Sequence, residues 1–307
     1  MEPRGAAAAE IGWLIWILIG LGTLIYVGVC AFILLAIWRR RGGEEARNRI
    51  GHVSQSHSKI VIWGGIVMPT VVLLGIAGLT LNSLISLAVI ERADEITIEV
   101  TGHQWWWEVV YPEQGVVTAN EIHVPVGQPV RLHLISEDVI HSFWVPQLHG
   151  KLDMIPGQTN SFTIEATTAG VYRGLCAEFC GIQHARMLFL IVAQPPAEFA
   201  AWLEAQQSPA AAPVDALAVQ GQEIFLETPC AQCHAVAGTA AAGRLGPDLT
   251  HFASRREIGA GVLENTPENL TAWLVDPQQH KPGNLMPATV LPDRDIQALV
   301  TYLESLK

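Results

Sequence analysis

Two long stretches without a charged side chain dominate the N-terminal third of the chain. They cover residues 11–38 and 60–90. Each exceeds the roughly 20 residues that an α-helix needs to cross about 30 Å of hydrocarbon. The first stretch is too long for the apolar region of a signal peptide, and no small-residue cleavage site follows it. We therefore predict two transmembrane helices within residues 1–93.

Short alternating runs replace these long stretches over residues 94–195. They include EITIEV, VRLHLIS, NSFTIEA and MLFLIVA, and turn signals such as Pro156-Gly157 separate them. About a hundred residues of short apolar runs without helical period are typical of a β-sandwich. This region is therefore predicted to be all-β.

A helical period appears only towards the C-terminus. Residues 196–213 are rich in Ala, Pro and Gln, which predicts a linker. Beyond it, apolar residues recur at helical spacing from Ile296 to Leu303, and Thr266 precedes Pro267 as a helix N-cap would. Residues 214–307 are therefore predicted to form a small all-α domain, and the whole chain is a multi-domain membrane protein.

The charge distribution orients these regions. The segment between the two apolar stretches is rich in arginine, whereas residues 91–307 carry 25 acidic and 11 basic side chains. The positive-inside rule places the arginine-rich loop in the cytoplasm and the remainder of the chain outside. An acidic exterior excludes nucleic acid as a partner and suits a basic protein.

Four soft or borderline metal ligands crowd into the stretch GLCAEFCGIQHARM, namely Cys176, Cys180, His184 and Met187. A disulfide between the two cysteines is one interpretation outside the cytosol, and a zinc site of two Cys and two His is another. A thioether beside thiolate and imidazole favours copper instead. Two thiolates exceed the need of a mononuclear blue-copper site, so two copper ions would share them.

A shared copper pair requires one more imidazole from the β-region. Spacing alone does not select it among five histidines, which are His103, His123, His133, His141 and His149.

The run CAQCH, residues 230–234, predicts a second cofactor. A C-x-x-C-H run outside the cytoplasm indicates covalent haem c, with the two thiols, Cys230 and Cys233, bound to the macrocycle and His234 under the iron. A redox or structural cysteine pair is the alternative. Met286, in the loop KPGNLMP, is the candidate for the other face of the iron. His251 and His280 compete with it.

The motifs HSFWVP, KLDMIPG, CAEFCGIQHARM and GHQWWW together resemble subunit II of haem–copper cytochrome c oxidases, over about residues 11–195. The resemblance implies a cupredoxin fold with a binuclear copper centre, CuA. It implies that Cys176 and Cys180 bridge the copper ions. It assigns the remaining ligands to His141, His184, Met187 and the backbone carbonyl of Glu178, whose side chain would bind magnesium at the interface with subunit I. Trp105 takes the place where electrons arrive in the family.

Residues 215–307 resemble class I cytochrome c, so the whole chain resembles the fused, caa-type form of subunit II. This implies an electron-transfer subunit that passes electrons from haem c to CuA and on to subunit I, where oxygen is reduced to water and protons are translocated. The oxygen-reducing site lies in that other subunit. The implied surroundings are a bacterial plasma membrane, the other oxidase subunits, lipid, and a donor such as a cytochrome c or a quinol-oxidising complex.

Two other functions stay open from the sequence. A CuA-containing nitric oxide reductase would use a nearly identical chain. A membrane-tethered copper carrier would need neither Met187 nor a haem domain. One departure from the family concerns proton uptake, because the stretch QSHSKIVIW before the second apolar segment lacks the acidic residue that the family commonly has there.

Overall fold

The computed structural model describes residues 2–40, 55–87 and 96–307. It separates into a helical unit, residues 9–90, and a second unit that joins the first eight residues to the chain from residue 91 onwards. The helical unit is built on α1 (Ala6–Arg40), α2 (Gln55–Ile62), a π-helical turn (Trp63–Val67) and α3 (Met68–Leu87).

Two helical stretches are long and apolar enough to cross a membrane, Ala6–Trp38 and Ser58–Ile85. They coincide with the two segments predicted from the sequence. The last residues of the second predicted segment, 88–90, lie outside the described residues. Within this unit Ser83 Oγ donates a hydrogen bond of 2.9 Å to Glu10 Oε1, which ties α3 to α1.

The β-region forms the predicted sandwich of two five-stranded sheets. One sheet has the order β3-β2-β1-β5-β8 and the other β4-β10-β9-β6-β7. Two of the pairings are parallel, β1 with β5 and β4 with β10. The strands are β1 (Ile96–His103), β2 (Trp106–Tyr111), β3 (Val116–Ala119), β4 (Glu121–Pro125), β5 (Val130–Ser136), β6 (His141–Trp144), β7 (Leu152–Met154), β8 (Asn160–Ile164), β9 (Gly170–Cys176) and β10 (Leu188–Gln194).

Alternation along the strands puts one face of each sheet into a shared core. Ile98 and Val100 of β1 are fully buried, and an aromatic cluster fills the centre. Trp107 meets Phe189 edge-on at a centroid distance of 5.0 Å and Phe143 at 6.0 Å. Gly174 makes room for this cluster, because a Cβ there would lie 2.2 Å from the Phe189 ring.

The segment predicted as a linker begins with a helix, formed by the run PAEFAAWLEAQ. Residues Pro196–Gln206 form α4, and Trp202 on it stacks against His123 of the sandwich at 4.0 Å. Phe199 is buried in the sandwich core. Apolar anchors at helical spacing therefore hold the first part of this segment as a helix, despite its Ala- and Pro-rich composition. Between α4 and α5, residues 207–215 lack a helix or strand.

The C-terminal domain packs its helices around a second core. They are α5 (Ala216–Glu227), α6 (Cys230–Cys233), α7 (Pro267–Val275), α8 (Pro277–His280) and α9 (Asp293–Ser305). The predicted cap is present, since the Thr266 side chain accepts a hydrogen bond from the Asn269 amide. Ile296, Leu299, Val300 and Leu303 of α9 are buried, as their spacing predicts.

This domain is helical, as predicted, and also contains one short hairpin. Glu257–Ile258 (β11) and Leu263–Glu264 (β12) pair as a short hairpin. Its tip has positive φ at Gly259, Ala260 and Gly261. Glycine adopts that conformation without strain, so two of these three residues suit a tight reversal of the chain.

Gly221 allows α5 and α9 to cross closely, and Gly221→Ala tests this. A Cβ at Gly221 would lie 2.0 Å from the carbonyl oxygen of Ala298. Overpacking costs up to about 3 kcal/mol, against roughly 1 kcal/mol that alanine gains in helix propensity, so we expect the domain to lose about 2 kcal/mol of stability. Hydrogen exchange of α9 amides in the full chain measures this loss. The exposed neighbour Glu223→Ala is the control, and equal protection in the two variants would contradict the packing argument.

Candidate metal centres

The first candidate centre lies at one end of the second sheet, where two neighbouring strands deliver ligands. His141 is the first residue of β6 and Cys176 the last residue of β9, and these strands pair antiparallel with Phe143 opposite Cys176. The loop after β9 folds back on itself, because the Cys176 amide donates to the Met187 carbonyl at 3.0 Å. This hydrogen bond brings the two ends of the loop together.

All six sequence-predicted ligands converge at this loop. The sulfur atoms of Cys176 and Cys180 are 3.7 Å apart. His141 Nδ1 lies 3.9 Å from the first sulfur, and His184 Nδ1 lies 3.8 Å from the second. Met187 Sδ is 3.7 Å from Cys180 Sγ, and the Glu178 carbonyl is 3.2 Å from Cys176 Sγ. The arrangement holds one imidazole per sulfur.

The structure does not contain the disulfide that the cysteines alone left open. A separation of 3.7 Å is far beyond the roughly 2.05 Å of a disulfide. Of the five candidate histidines, His141 reaches the sulfurs. His103 stacks on Trp106 and His123 stacks on Trp202, which gives both rings a packing role.

The two buried thiols share one negative charge. The hydrogen bond from Cys180 is the main reason that the pKa of Cys176 is lowered to about 3. The same hydrogen bond, together with burial, raises the pKa of Cys180 far above its usual range. Two thiolates at this distance therefore require nearby cations, and a metal that binds both must displace the Cys180 proton.

Asp138 holds the His141 ring, a contact that the sequence analysis missed. Its Oδ1 lies 2.7 Å from His141 Nε2, so Nδ1 faces the sulfurs. Although burial alone lowers the pKa of His141, the hydrogen bonds to Cys176 and Asp138 raise it overall. Gly102 contributes space, because a Cβ there would lie 3.0 Å from the ring. The spacing of SEDVIH, an acid three residues before a histidine, was the available signal.

The second candidate centre is an apolar cavity of about 590 Å³ in the C-terminal domain. Cys230, Cys233, His234 and Met286 all line it, although Met286 is distant in sequence. His251 and His280 are not among its lining residues. The structure thus brings together the four residues predicted for the haem and leaves the two competing histidines aside.

His234 is prepared to bind through one nitrogen. Its Nδ1 lies 2.7 Å from the Pro247 carbonyl, so that nitrogen carries the proton and Nε2 is left with a lone pair. Burial lowers the pKa of His234, which keeps the ring neutral. Gly246 packs flat on the ring, where a Cβ would lie 2.5 Å from it.

Side chains hold the Met286 loop through hydrogen bonds to the Met286 backbone. The Met286 amide donates to Asn284 Oδ1 at 2.8 Å, and Gln278 Nε2 donates to the Met286 carbonyl at 2.9 Å. Both bonds fix the loop on the cavity without engaging the thioether.

Arg255 gives the cavity an anion-binding edge. Its guanidinium is buried and lines the cavity, and its Nη2 donates to the Asp248 carbonyl. Its Nε finds no partner among the described residues. A planar apolar group with acidic side arms, as haem is, fits a cavity with such a donor set.

Trp105 lies between the two candidate centres. It is 9% exposed and lines the apolar cavity of the C-terminal domain. On its other side, its indole Nε1 donates to the Cys180 carbonyl at 3.0 Å, and Gln104 Nε2 donates to the same carbonyl at 2.8 Å. Trp105, which lines the cavity of the second centre, is therefore hydrogen-bonded to Cys180, a candidate ligand residue of the first centre.

Removal of the Asp138 carboxylate should weaken the first centre without unfolding it. Partners that orient a metal-binding histidine typically contribute 10- to 100-fold in metal affinity, so we expect Asp138→Ala to bind copper about 10- to 100-fold more weakly. Competition of the full chain against a copper chelator measures this. The adjacent acid Glu137 is the matched control, and an affinity equal to that of Glu137→Ala would show that Asp138 does not position the ring.

Comparison with known proteins gives the same two regions. Residues 115–194 match the family described as cytochrome c oxidase subunit II, periplasmic domain, and residues 218–307 match cytochrome c. Cytochrome c oxidase subunit 2 of Alkalihalophilus pseudofirmus is 38% identical over 100% of this chain and 90% of its own length. The protein of the same name from Bacillus sp. strain PS3 is also 38% identical, over 88% of this chain and 80% of its own.

Among solved structures, the periplasmic domain of subunit II of cytochrome oxidase from Bradyrhizobium japonicum is 33% identical. It covers 39% of this chain and 97% of its own, with a TM-score of 0.37. The matches over the full chain carry the assignment. They agree with the order of helices, cupredoxin-like sandwich and helical domain, and with the clusters built at His141 and His234. The chain belongs to the cytochrome c oxidase subunit II family, in the form that carries a cytochrome c domain fused to its C-terminus.

Proposed function

We propose that the chain relays electrons from haem c in the C-terminal domain to a CuA copper pair in the sandwich, and from there to subunit I of a terminal oxidase. Both cofactors would supply one-electron redox chemistry. The named relatives are oxidase subunits, which supports oxygen over nitric oxide as the final acceptor.

The position of Trp105 carries this proposal. Electron transfer between two centres depends on short contacts through the protein between them. Trp105 lines the cavity that holds Cys230, Cys233 and His234, and its indole N–H is bonded to the Cys180 carbonyl. A single side chain thus lines the cavity of one centre and is hydrogen-bonded to a candidate ligand residue of the other.

The ligand assignments follow from the two clusters. In the sandwich, the thiolates of Cys176 and Cys180 would bridge two copper ions, and His141 and His184 would each supply an imidazole. Met187 and the Glu178 carbonyl would complete the set. The hydrogen bond to Cys176 and burial raise the pKa of Cys180, so a metal held by both sulfurs would have to displace the Cys180 proton.

The cytochrome domain would hold haem through thioether bonds from Cys230 and Cys233. His234 Nε2 and Met286 Sδ would hold the iron, a ligand combination that raises the potential. Arg255 would face an acidic side arm of the haem.

The surroundings of the chain are proposed from the same family. The two apolar helices would span a bacterial plasma membrane, with both cofactor domains on the outer side and a cytochrome c or a quinol-oxidising complex as donor. The Glu178 side chain is 45% exposed, with Oε2 3.6 Å from Lys151 Nζ. This exposure leaves the carboxylate accessible, and magnesium at the contact with subunit I would take the place of Lys151 beside it.

Loss of one bridging sulfur tests the copper pair. In Cys176→Ser only one thiolate remains, so the site should hold at most one copper per chain and lose the spectrum of a shared electron. Metal analysis and electron paramagnetic resonance of the purified chain measure both. Cys30→Ser, in the helical unit, is the matched control, and two coppers with an unchanged spectrum in Cys176→Ser would disprove the assignment.

Replacement of the intervening indole tests the route. Trp105→Phe keeps an aromatic ring but removes the donor to the Cys180 carbonyl, so electron transfer between the two centres should slow while copper and haem contents stay unchanged. Transient absorption after photoreduction of the haem measures the rate. Trp106→Phe, which also alters the cavity wall, is the control. An unchanged rate in Trp105→Phe would place the electron route elsewhere.

A further inference from the structure

The cytochrome domain and the sandwich meet at a specific interface that the sequence did not indicate. The tip of the β11–β12 hairpin reaches the sandwich, where the Leu188 amide donates to the Ala260 carbonyl at 3.0 Å. The Arg256 amide donates at 2.5 Å to the carboxylate of Glu121, which is itself buried. These bonds join backbone groups of one domain to the other, so they require a defined orientation.

A second set of contacts comes from the segment before Met286. Gln183 Nε2 donates to the Pro282 carbonyl at 2.6 Å, and Arg186 Nη1 donates to the His280 carbonyl at 2.5 Å. Both donors lie in the loop that carries the copper ligands. The loop that supplies the candidate haem ligand therefore rests directly on the loop that supplies the copper ligands.

Lys281 lies at the centre of this interface and is 2% exposed. Its ammonium donates to three backbone carbonyls, Trp105 at 2.7 Å, Arg186 at 2.7 Å and Gly259 at 2.8 Å. The first two belong to the sandwich and the third to the cytochrome domain. All three N–H donors of the ammonium are used, which is what allows a lysine to be buried.

Burial of this ammonium costs free energy, which its hydrogen bonds to the sandwich must offset. Burial is the main cause that lowers the pKa of Lys281 to about 7. A lysine that served only the cytochrome domain would remain in water, since its stem is flexible and its charge strongly hydrated. Here the charge instead bonds the residue whose indole contacts Cys180, and it bonds Arg186, next to Met187.

We propose that Lys281 is a positioning residue that locks the cytochrome domain onto the loop of candidate copper ligands, residues 176–187, in one orientation. In this orientation Trp105 closes the candidate haem cavity. The residues after α4 then act as a short connection to a docked domain. The use of this pose for electron transfer rests on the proposed function. The docking itself does not.

The ion pair between Arg173 and Glu257 supports the same pose at the edge of the interface. Its two nitrogens lie 2.6 and 2.5 Å from the two carboxylate oxygens, a bidentate geometry that fixes direction as well as distance. Because Glu257 is in β11 and Arg173 in β9, the pair aligns the hairpin with the sandwich.

Hydrogen exchange of the full chain tests the lock without using activity. Lys281→Met keeps the length and apolar stem of the side chain but leaves three buried carbonyls without their donor. We expect exchange at the Leu188 and Arg256 amides to become at least about tenfold faster, because both are bonded across the interface. The other amides of the sandwich, and those of α5 and α9, should keep their protection. Lys307→Met, at the exposed C-terminus, is the control.

Two results would overturn the proposal. Unchanged exchange at Leu188 and Arg256 would show that the domain stays docked without Lys281. A parallel loss of protection in α5 and α9 would show that Lys281 stabilises the cytochrome fold in general instead of positioning it.

A charge exchange gives an independent test of the pose. Arg173→Glu and Glu257→Arg should each speed exchange at the same two amides, and the double variant should restore protection. Absence of that restoration would disprove this alignment of the domains. Copper and haem contents of these variants separate the outcome from the proposed function, because a chain that binds both cofactors but fails to dock would overturn only the lock.

Discussion

Two sulfur atoms held 3.7 Å apart in a buried loop cannot both be charged unless cations lie beside them. Contacts within the sandwich place the other candidate ligands around these two sulfurs. The pairing of β6 with β9 brings His141 to the first sulfur, and the bond from the Cys176 amide to the Met187 carbonyl brings the thioether to the second. The two cysteines are therefore free thiols in a cluster that could hold metal.

The same loop is also the surface on which the cytochrome domain rests. A flexible tether would supply an effective concentration on the order of millimolar, with many orientations sampled. The backbone bond between Leu188 and Ala260, the bidentate pair at Glu257 and the buried Lys281 replace that sampling by one orientation. Docking places Trp105 in the wall of the cavity that Cys230, Cys233 and His234 line.

The docked arrangement limits which part of the acidic exterior region a partner protein could reach. The face of the cytochrome domain that holds Lys281 is already occupied by the sandwich. Under the proposed function, an external donor would therefore approach another part of this region, in which acidic side chains outnumber basic ones. A basic cytochrome suits such a surface, since complementary charge accelerates encounter.

Local pattern was sufficient for the elements and for most of the ligands. Apolar length predicted the two membrane helices, alternation predicted the strands, and helical spacing with a Thr266 cap predicted the C-terminal helices. CAEFCGIQHARM and CAQCH identified clustered ligands because loop ligands lie close in sequence. His141 and Met286, which are distant from those runs, required the family resemblance and the context of a Pro/Gly loop.

Contacts between distant segments were beyond the reach of the sequence. The sequence allows the helix at 196–206, but its anchoring against His123 depends on a strand far away in the chain. Asp138, Gly102 and Lys281 carry ordinary local signals, and their roles arise from what folding places beside them. The sequence by itself determined which groups could bind metal and haem. Only the tertiary structure decided that the two sites share one interface, because a buried ammonium and unpaired carbonyls are satisfied only when both domains supply the partners.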